Sequence, residues 1–163
     1  MQNTVGKLLE KLVACRLERD LEGRHMFPST CGRYRRNKKT WCNVSIFAYD
    51  VFEGFQAGLE TCAVVLDLED AYNKVPITYL IHMLTLLNID TLLIRWIAKA
   101  LVERKVALQC GSWYSAPITI SPGLPHGSPL SPVLFNVFTI MITKQQLSGR
   151  GRTLSFADDI MVY

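Results

Sequence analysis

The sequence predicts an α+β or mixed α/β fold in which helices pack on one face of an antiparallel sheet. After two opening helices, segments with strand-like and helical periodicity follow in the order β-α-α-β-β-α-β-β, which is typical of such a layer. The 163 residues are enough for a sizeable core, and 49% hydrophobic with 20% charged residues describes a globular protein. Acidic residues follow apolar runs at two predicted strand ends, at Asp67 and at Asp158-Asp159.

The first part of the chain predicts two helices joined by a basic loop. Apolar residues recur at helical spacing over about residues 3–22, with charged residues on the other face, which indicates an amphipathic helix. A loop with Pro28, Ser29 and Gly32 as breakers follows, and a second helix is expected over about residues 41–57. The apolar positions of the first helix are Val5, Leu8, Leu9, Leu12, Val13 and Leu17, and its other face carries Lys7, Glu10, Lys11, Arg16 and Glu18.

The rest of the chain predicts strands and helices in alternation. Pro76 opens one helix, since proline is well tolerated in a first helical turn, and Asp90 is the expected N-cap of the next. A hairpin turns at Gly111-Ser112. The expected bounds are about 61–68 for a buried strand, 76–87 and 90–103 for helices, 106–110 and 116–120 for the hairpin, 130–147 for a helix, and 153–157 and 160–163 for the last strands.

Composition narrows the function classes. The formal charge of +4 and the pI near 8.9 permit a nucleic-acid partner without requiring one. The five cysteines are scattered, odd in number and form no CxxC pair, which indicates a reduced intracellular protein without a zinc site. No signal peptide is expected, and the uncharged stretch 106–143 is interrupted by Gly and Pro, so a buried helix is predicted there rather than a membrane span.

Four segments carry residues suited to chemistry on phosphates. Asp67 ends an apolar run, and Asp158-Asp159 lies between two such runs, so carboxylates at strand ends can hold Mg²⁺. Taken alone, each acid also fits a solvated turn. A glycine- and proline-rich segment, residues 123–132, allows close approach of a base or a sugar, and its serines can equally cap the next helix. The basic loop, with Arg33, Arg35, Arg36, Lys38 and Lys39, fits phosphate binding, a solvated loop or a nuclear-import patch.

Together these segments resemble the reverse transcriptases of non-LTR, LINE-type, jockey-like retrotransposons. Residues 65–75, VLDLEDAYNKV, resemble catalytic motif A of that family, and residues 123–136, GLPHGSPLSPVLFN, resemble motif B. Residues 156–159, FADD, are similar to motif C. The resemblance implies a polymerase right-hand palm at residues 61–163 with partial fingers at 1–60 and no thumb.

The resemblance also implies roles for individual residues. Nucleotidyl transfer from a deoxynucleoside triphosphate to a primer 3′-OH would use two Mg²⁺ ions, or Mn²⁺, with an RNA template and a DNA primer. The implied catalytic residues are Asp67, Asp158 and Asp159, and these with Leu68 are the implied metal ligands. Tyr72 is similar to the family's steric gate, whose ring rejects a ribose 2′-OH. The other implied nucleotide contacts are Ala71, Arg35 and Lys38. Template and base-pair contacts are implied for Pro125, His126, Gly127 and Ser128.

The sequence departs from the family pattern at several points. His126 replaces the usual Gln of motif B, and Asn73 replaces a frequent Asp of motif A. Residues 33–40 resemble a diverged fingers motif, in which Arg33 replaces a usual Gly. The first fingers motif, the thumb and the endonuclease are expected in the rest of a retrotransposon polyprotein, which would be the main partner. The alternatives are an inactive relic that at most binds nucleic acid, and an inert product that does not fold by itself. The expected location is intracellular, in the nucleus, the cytoplasm or both, and no membrane partner is expected.

Overall fold

The computed structural model describes residues 4–32, 34, 35, 38–102, 104–120, 123–145, 147, 149–156 and 158–163. The predictions that fall on Arg33, Arg36, Glu103 and Ala157 lie outside these residues. The helices are α1 (Thr4–Gly23), α2 (Thr40–Gln56), α3 (Ile77–Leu86), α4 (Thr91–Val102) and α5 (Ser131–Thr143). The strands are β1 (Val64–Asp67), β2 (Arg104–Val106), β3 (Gln109–Cys110), β4 (Trp113–Tyr114), β5 (Ile118–Ile120), β6 (Thr153–Phe156) and β7 (Asp159–Val162).

The strands form antiparallel sheets, and together with the helices they confirm the predicted α+β class. The largest sheet has the order β1-β7-β6, with β7 in the centre. The predicted hairpin is present in two parts, because β2 pairs with β5 and β3 pairs with β4 around a turn in which Gly111 has a φ of 60°. None of the helices in the described part of the chain is both long enough and apolar enough to cross a membrane.

Two compact units make up the chain. The first comprises Met1–Val13 and Tyr72–Phe138, and the second comprises Ala14–Ala71 and Thr139–Tyr163. The core of the first unit includes Leu80, Leu84, Ile97, Leu101, Leu124, Leu134 and Phe135. The core of the second unit includes Leu17, Leu21, Phe27, Cys31, Ile140, Leu154 and Ile160. The division into fingers at 1–60 and palm at 61–163 stays a prediction.

Helix ends follow local chemistry closely. The Asp90 carboxylate accepts hydrogen bonds from the backbone N–H groups of Leu92 and Leu93, at 2.9 and 3.1 Å, which confirms it as the N-cap of α4. Pro76 occupies the N-cap position of α3. The prediction that the last helix continues to residue 147 is wrong. The helix ends at Thr143, whose hydroxyl donates to the Ile140 carbonyl. In the next turn the Gln145 N–H donates to the Ile142 carbonyl, three residues back rather than four.

The predicted buried strand at 61–68 is shorter and lies in solvent. Val64, Val65 and Leu66 are 53%, 64% and 47% exposed. β1 lies at the edge of its sheet, next to β7, but edge position alone does not decide side-chain burial, since Leu154 of β6, the strand at the other edge, is 3% exposed.

The faces of α1 also differ from the simple amphipathic pattern. Leu8, Leu9 and Leu12 are exposed, whereas Glu10, which the pattern placed on the charged face, is 8% exposed. The Glu10 carboxylate accepts a hydrogen bond from the Ser128 hydroxyl, so this side of α1 is buried against the segment that carries Ser128.

Candidate functional site

The second unit brings together the acids of the two predicted strand ends. β1 and β7 are antiparallel with Asp67 directly opposite Asp159, and the Leu68 N–H donates to the Asp158 carbonyl at 3.2 Å. Opposed residues of an antiparallel ladder point to the same face, with Cβ atoms about 5 Å apart. Asp67 and Asp159 are exposed, and Asp158 is half-buried. The side chains of Asp67 and Asp159 are therefore accessible to a ligand.

The position of Asp159 in this hairpin differs from the prediction. Asp158 lies in the turn as predicted, but Asp159 is the first residue of β7 rather than a turn residue. The ladder extends by one pair beyond the predicted strands, because Asp159 pairs with Phe156 on one side and Asp67 on the other. The longer ladder fixes the backbone of Asp159 from both sides.

The donor set fits a divalent cation that is shared with a substrate. Mg²⁺ prefers carboxylate oxygens and commonly takes one or two of them together with substrate phosphates. Asp67 and Asp159 supply such a pair. In the part of the chain that the structure describes, no group of three or more His, Cys, Asp or Glu side chains forms a metal cage. The Asp67–Asp159 pair suits a metal site whose remaining ligands come from a substrate. A metal site formed entirely by protein side chains is not seen among the described residues.

The β6–β7 hairpin, which carries Asp158 and Asp159, is anchored by Asn43 of α2. Its side-chain N–H₂ group donates to the Thr30 and Ser155 carbonyls, at 3.2 and 3.0 Å, and the side chain is buried. Gly32 and Thr30 add backbone hydrogen bonds to Ser155. Beside this anchor a groove of about 150 Å³ lies between α2 and the sheet, and Asp159 is one of its lining residues. Sequence reasoning missed Asn43, since a lone Asn in a helix gives no signal.

In the first unit, the backbone joins the end of motif A to the start of motif B. The Gly123 N–H donates to the Asn73 carbonyl at 2.9 Å, and the Leu124 N–H donates to the Tyr72 carbonyl at 2.7 Å. A Cβ atom on residue 123 would meet the Tyr72 carbonyl oxygen at 2.1 Å, which no side chain can do. Glycine is required here because two backbones touch.

The rings of the first unit place two predicted contact residues side by side. Tyr72 stacks on Phe135, with centroids 5.2 Å apart and an interplanar angle of 16°. The His126 ring lies 5.6 Å from Tyr72 at a tilt of 40°. Phe135 is fully buried, Tyr72 is half-buried and His126 is exposed. The Tyr72 ring is therefore held by packing on one side and faces the motif B loop on another.

Two residues outside the motifs also hold that loop. Besides its bond to Glu10, the Ser128 side chain accepts the Leu130 N–H at 3.1 Å. The Arg104 guanidinium donates to the Gly123 carbonyl at 2.7 Å. Neither Glu10 nor Arg104 was predicted from the sequence, since each is a single charge among many.

The predicted nucleotide contacts of the basic loop have internal partners. Arg35 donates twice to Glu22, at 2.6 and 2.7 Å, and also to the Pro28 and Cys31 carbonyls. Hydrogen bonding to Arg35 lowers the pKa of Glu22, with a smaller contribution from Lys38. Lys38 and Ala71 are half-buried. A role of Arg35, Lys38 and Ala71 at a nucleotide stays a prediction, and for Arg35 it would compete with the Glu22 pair.

Comparison with known proteins agrees with these motifs. The family described as reverse transcriptase (RNA-dependent DNA polymerase) matches the chain over residues 1–163. A Drosophila melanogaster protein described as a probable RNA-directed DNA polymerase from transposon BS is 26% identical over 137 residues. That match covers 84% of this chain and 15% of the relative, so the chain spans a small part of the relative's length.

Proposed function

The chain belongs to the reverse transcriptase (RNA-dependent DNA polymerase) family, and from this premise we propose that it contributes to the RNA-directed DNA polymerase of a non-LTR, LINE-type retrotransposon. The reaction is attack of a primer 3′-OH on the α-phosphate of a deoxynucleoside triphosphate, directed by an RNA template. The rest of the polyprotein, including a thumb and an endonuclease, is the proposed partner. An intracellular location follows from the same proposal.

The observation that carries the proposal is the register of the sheet. Asp67 and Asp159 come from motifs that are far apart in the sequence, yet they form one cross-strand pair at an exposed sheet end. A solvated turn acid has no need of a second carboxylate opposite it, and like charges in that arrangement disfavour the fold. Such a pair is expected where a cation or substrate compensates the repulsion.

The residues of the three motifs have different proposed roles. Asp67 and Asp159, with Asp158 and the backbone of Leu68, would hold two Mg²⁺ ions, or Mn²⁺ in their place. When bound, such ions stabilise the attacking and leaving oxygens of the displacement. Tyr72, whose ring is stacked on Phe135, provides a wall that excludes a ribose 2′-OH. The loop of Pro125, His126, Gly127 and Ser128 contacts the template and the new base pair.

Metal binding is the first test, because it does not depend on turnover. Mn²⁺ binding to the purified chain would be followed by electron paramagnetic resonance of the free ion. We expect Asp67→Asn and Asp159→Asn each to weaken binding by about tenfold or more, since each removes one of two opposed ligands. Asp20→Asn is the control, because Asp20 is exposed and pairs with Arg24 on the surface of α1. Unchanged Mn²⁺ binding in both variants would contradict the proposal.

Primer extension is the second test. The chain would be given an RNA template, a DNA primer, deoxynucleotides and Mg²⁺, and compared with Asp158→Ala/Asp159→Ala. Incorporation by the wild type alone supports the assignment, whereas equal incorporation by both proteins contradicts it. Salt-dependent template binding without incorporation, in a chain that also binds no Mn²⁺, would identify the inactive relic.

A further inference from the structure

The motif B loop is held at its C-terminal side by a buried carboxylate from α1. Glu10 and Ser128 are 8% and 7% exposed, and the Ser128 hydroxyl donates to the Glu10 carboxylate. The same Ser128 oxygen accepts the Leu130 N–H, so the loop and the start of α5 share one anchor. Burying a carboxylate costs free energy unless hydrogen bonds compensate it. A glutamate at this position therefore points to a role in holding the loop.

The N-terminal side of the same loop is held by Arg104 of β2. Its guanidinium donates to the Gly123 carbonyl at 2.7 Å, next to the two backbone bonds that join Gly123 and Leu124 to motif A. Burial lowers the pKa of Arg104, and the nearby Glu10 carboxylate acts in the opposite direction. Each of the two charged side chains binds one end of the loop.

Between these anchors the apex of the loop, His126 and Gly127, is open. Both residues are exposed, and a Cβ atom built on Gly127 would meet nothing within 4 Å. The Pro125 carbonyl below the apex accepts the Ser131 hydroxyl at 2.7 Å and the Ser128 N–H at 3.3 Å. The loop is therefore fixed at its base, and its apex is exposed to solvent.

We propose that Glu10 and Arg104 are positioning residues that hold the His126–Gly127 apex in the orientation needed to contact a nucleotide or template base. The identity of what the apex contacts rests on the proposed function, but the positioning itself does not. Holding a backbone segment before a ligand arrives reduces the ordering cost of binding. Glu10 and Arg104 both lie outside the three motifs, so the family resemblance gives neither residue a role.

The test of positioning uses amide hydrogen exchange and NMR chemical shifts. In Glu10→Ala we expect the Leu130 amide to exchange about tenfold faster, which corresponds to roughly one lost hydrogen bond, and the His126 and Gly127 amides to shift. Ser128→Ala removes the same contact from the other side and is the second variant if Glu10→Ala does not fold. Glu10→Gln keeps an acceptor oxygen and is expected to stay near wild type. Asp20→Asn is the control on the same helix.

The second readout separates positioning from the function of the apex. A deoxynucleoside triphosphate would be titrated into the chain with template–primer while the His126 and Gly127 amides are observed. We expect Glu10→Ala and Arg104→Met to raise the apparent Kd about tenfold, with recovery in Glu10→Gln. Unchanged apex amides in Glu10→Ala and Ser128→Ala would overturn the positioning proposal. Shifted apex amides with no nucleotide response in the wild type would instead uphold positioning and count against the proposed function.

Discussion

Asp67 of β1 lies directly opposite Asp159 of β7, although the two residues belong to different sequence motifs. Both side chains are exposed at one end of the three-stranded sheet. Like charges that face each other across a ladder are unfavourable. The sheet therefore retains an arrangement that disfavours its own folding unless a cation binds there.

Replacing one of these acids is expected to stabilise the metal-free chain. In a chelating buffer Asp67→Asn should raise Tm by about 1–2 °C, because it removes the repulsion with Asp159. Added Mn²⁺ should raise Tm of the wild type more than that of Asp67→Asn, because a ligand that binds the folded state stabilises it in proportion to its affinity. Asp90→Asn, which keeps a capping oxygen, is the control. A lower Tm for Asp67→Asn in chelator would contradict this account.

Gly123→Ala is expected to destabilise the first unit strongly. The new Cβ atom would lie 2.1 Å from the Tyr72 carbonyl oxygen and 2.6 Å from that of Asn73, and backbone atoms cannot move aside cheaply. We expect a loss of about 3 kcal/mol or more in urea unfolding. Gly23→Ala has open space around its Cβ and should change stability by less than about 0.5 kcal/mol. Equal midpoints for the two variants would show that the motif A and motif B backbones do not touch.

Asn43→Leu is expected to loosen the β6–β7 hairpin. The substitution removes two side-chain hydrogen bonds, although the Thr30 and Ser155 carbonyls each keep a backbone partner, at a cost of about 1–2 kcal/mol. Amide exchange in β6 should accelerate as well. Val44→Ala, one residue further along α2, is 59% exposed and is expected to be nearly neutral. If both variants unfold at the same urea concentration, the anchor contributes nothing.

The Arg35–Glu22 pair predicts a pH dependence of stability. Hydrogen bonding to Arg35 lowers the pKa of Glu22 in the folded chain. Because the pKa of Glu22 is lower in the folded chain than its unfolded-state pKa of about 4.3, the ionised carboxylate stabilises the fold above that pH. This contribution is lost as the pH falls through the folded-state pKa. Arg35, whose pKa the same bond raises, stays charged throughout. The urea midpoint should therefore fall more steeply below about pH 5 in the wild type than in Glu22→Gln. Parallel curves would exclude this linkage, and Glu60→Gln serves as the exposed control.

Much of the local structure could be predicted because its causes are local. The Asp90 cap, the turn at Gly111 and the positions of α1 to α4 follow from periodicity and from side chains that bond to their own neighbourhood. The motif segments likewise identified the family, because their residue types and order are specific. The glycine at position 123 is different, because the backbones of Tyr72 and Asn73 that approach it come from a distant part of the chain.

The sequence by itself determined the fold class, the family and the residues at which chemistry is expected. Only the tertiary structure decided which faces are covered: Glu10 is buried while Leu8 and Leu12 are exposed, and β1 lies at a sheet edge. It also decided that Asp67 faces Asp159 and that Arg35 binds Glu22. The physical reason is that periodicity marks residues able to be buried, whereas burial, register and ion pairing depend on partners brought in from distant parts of the chain.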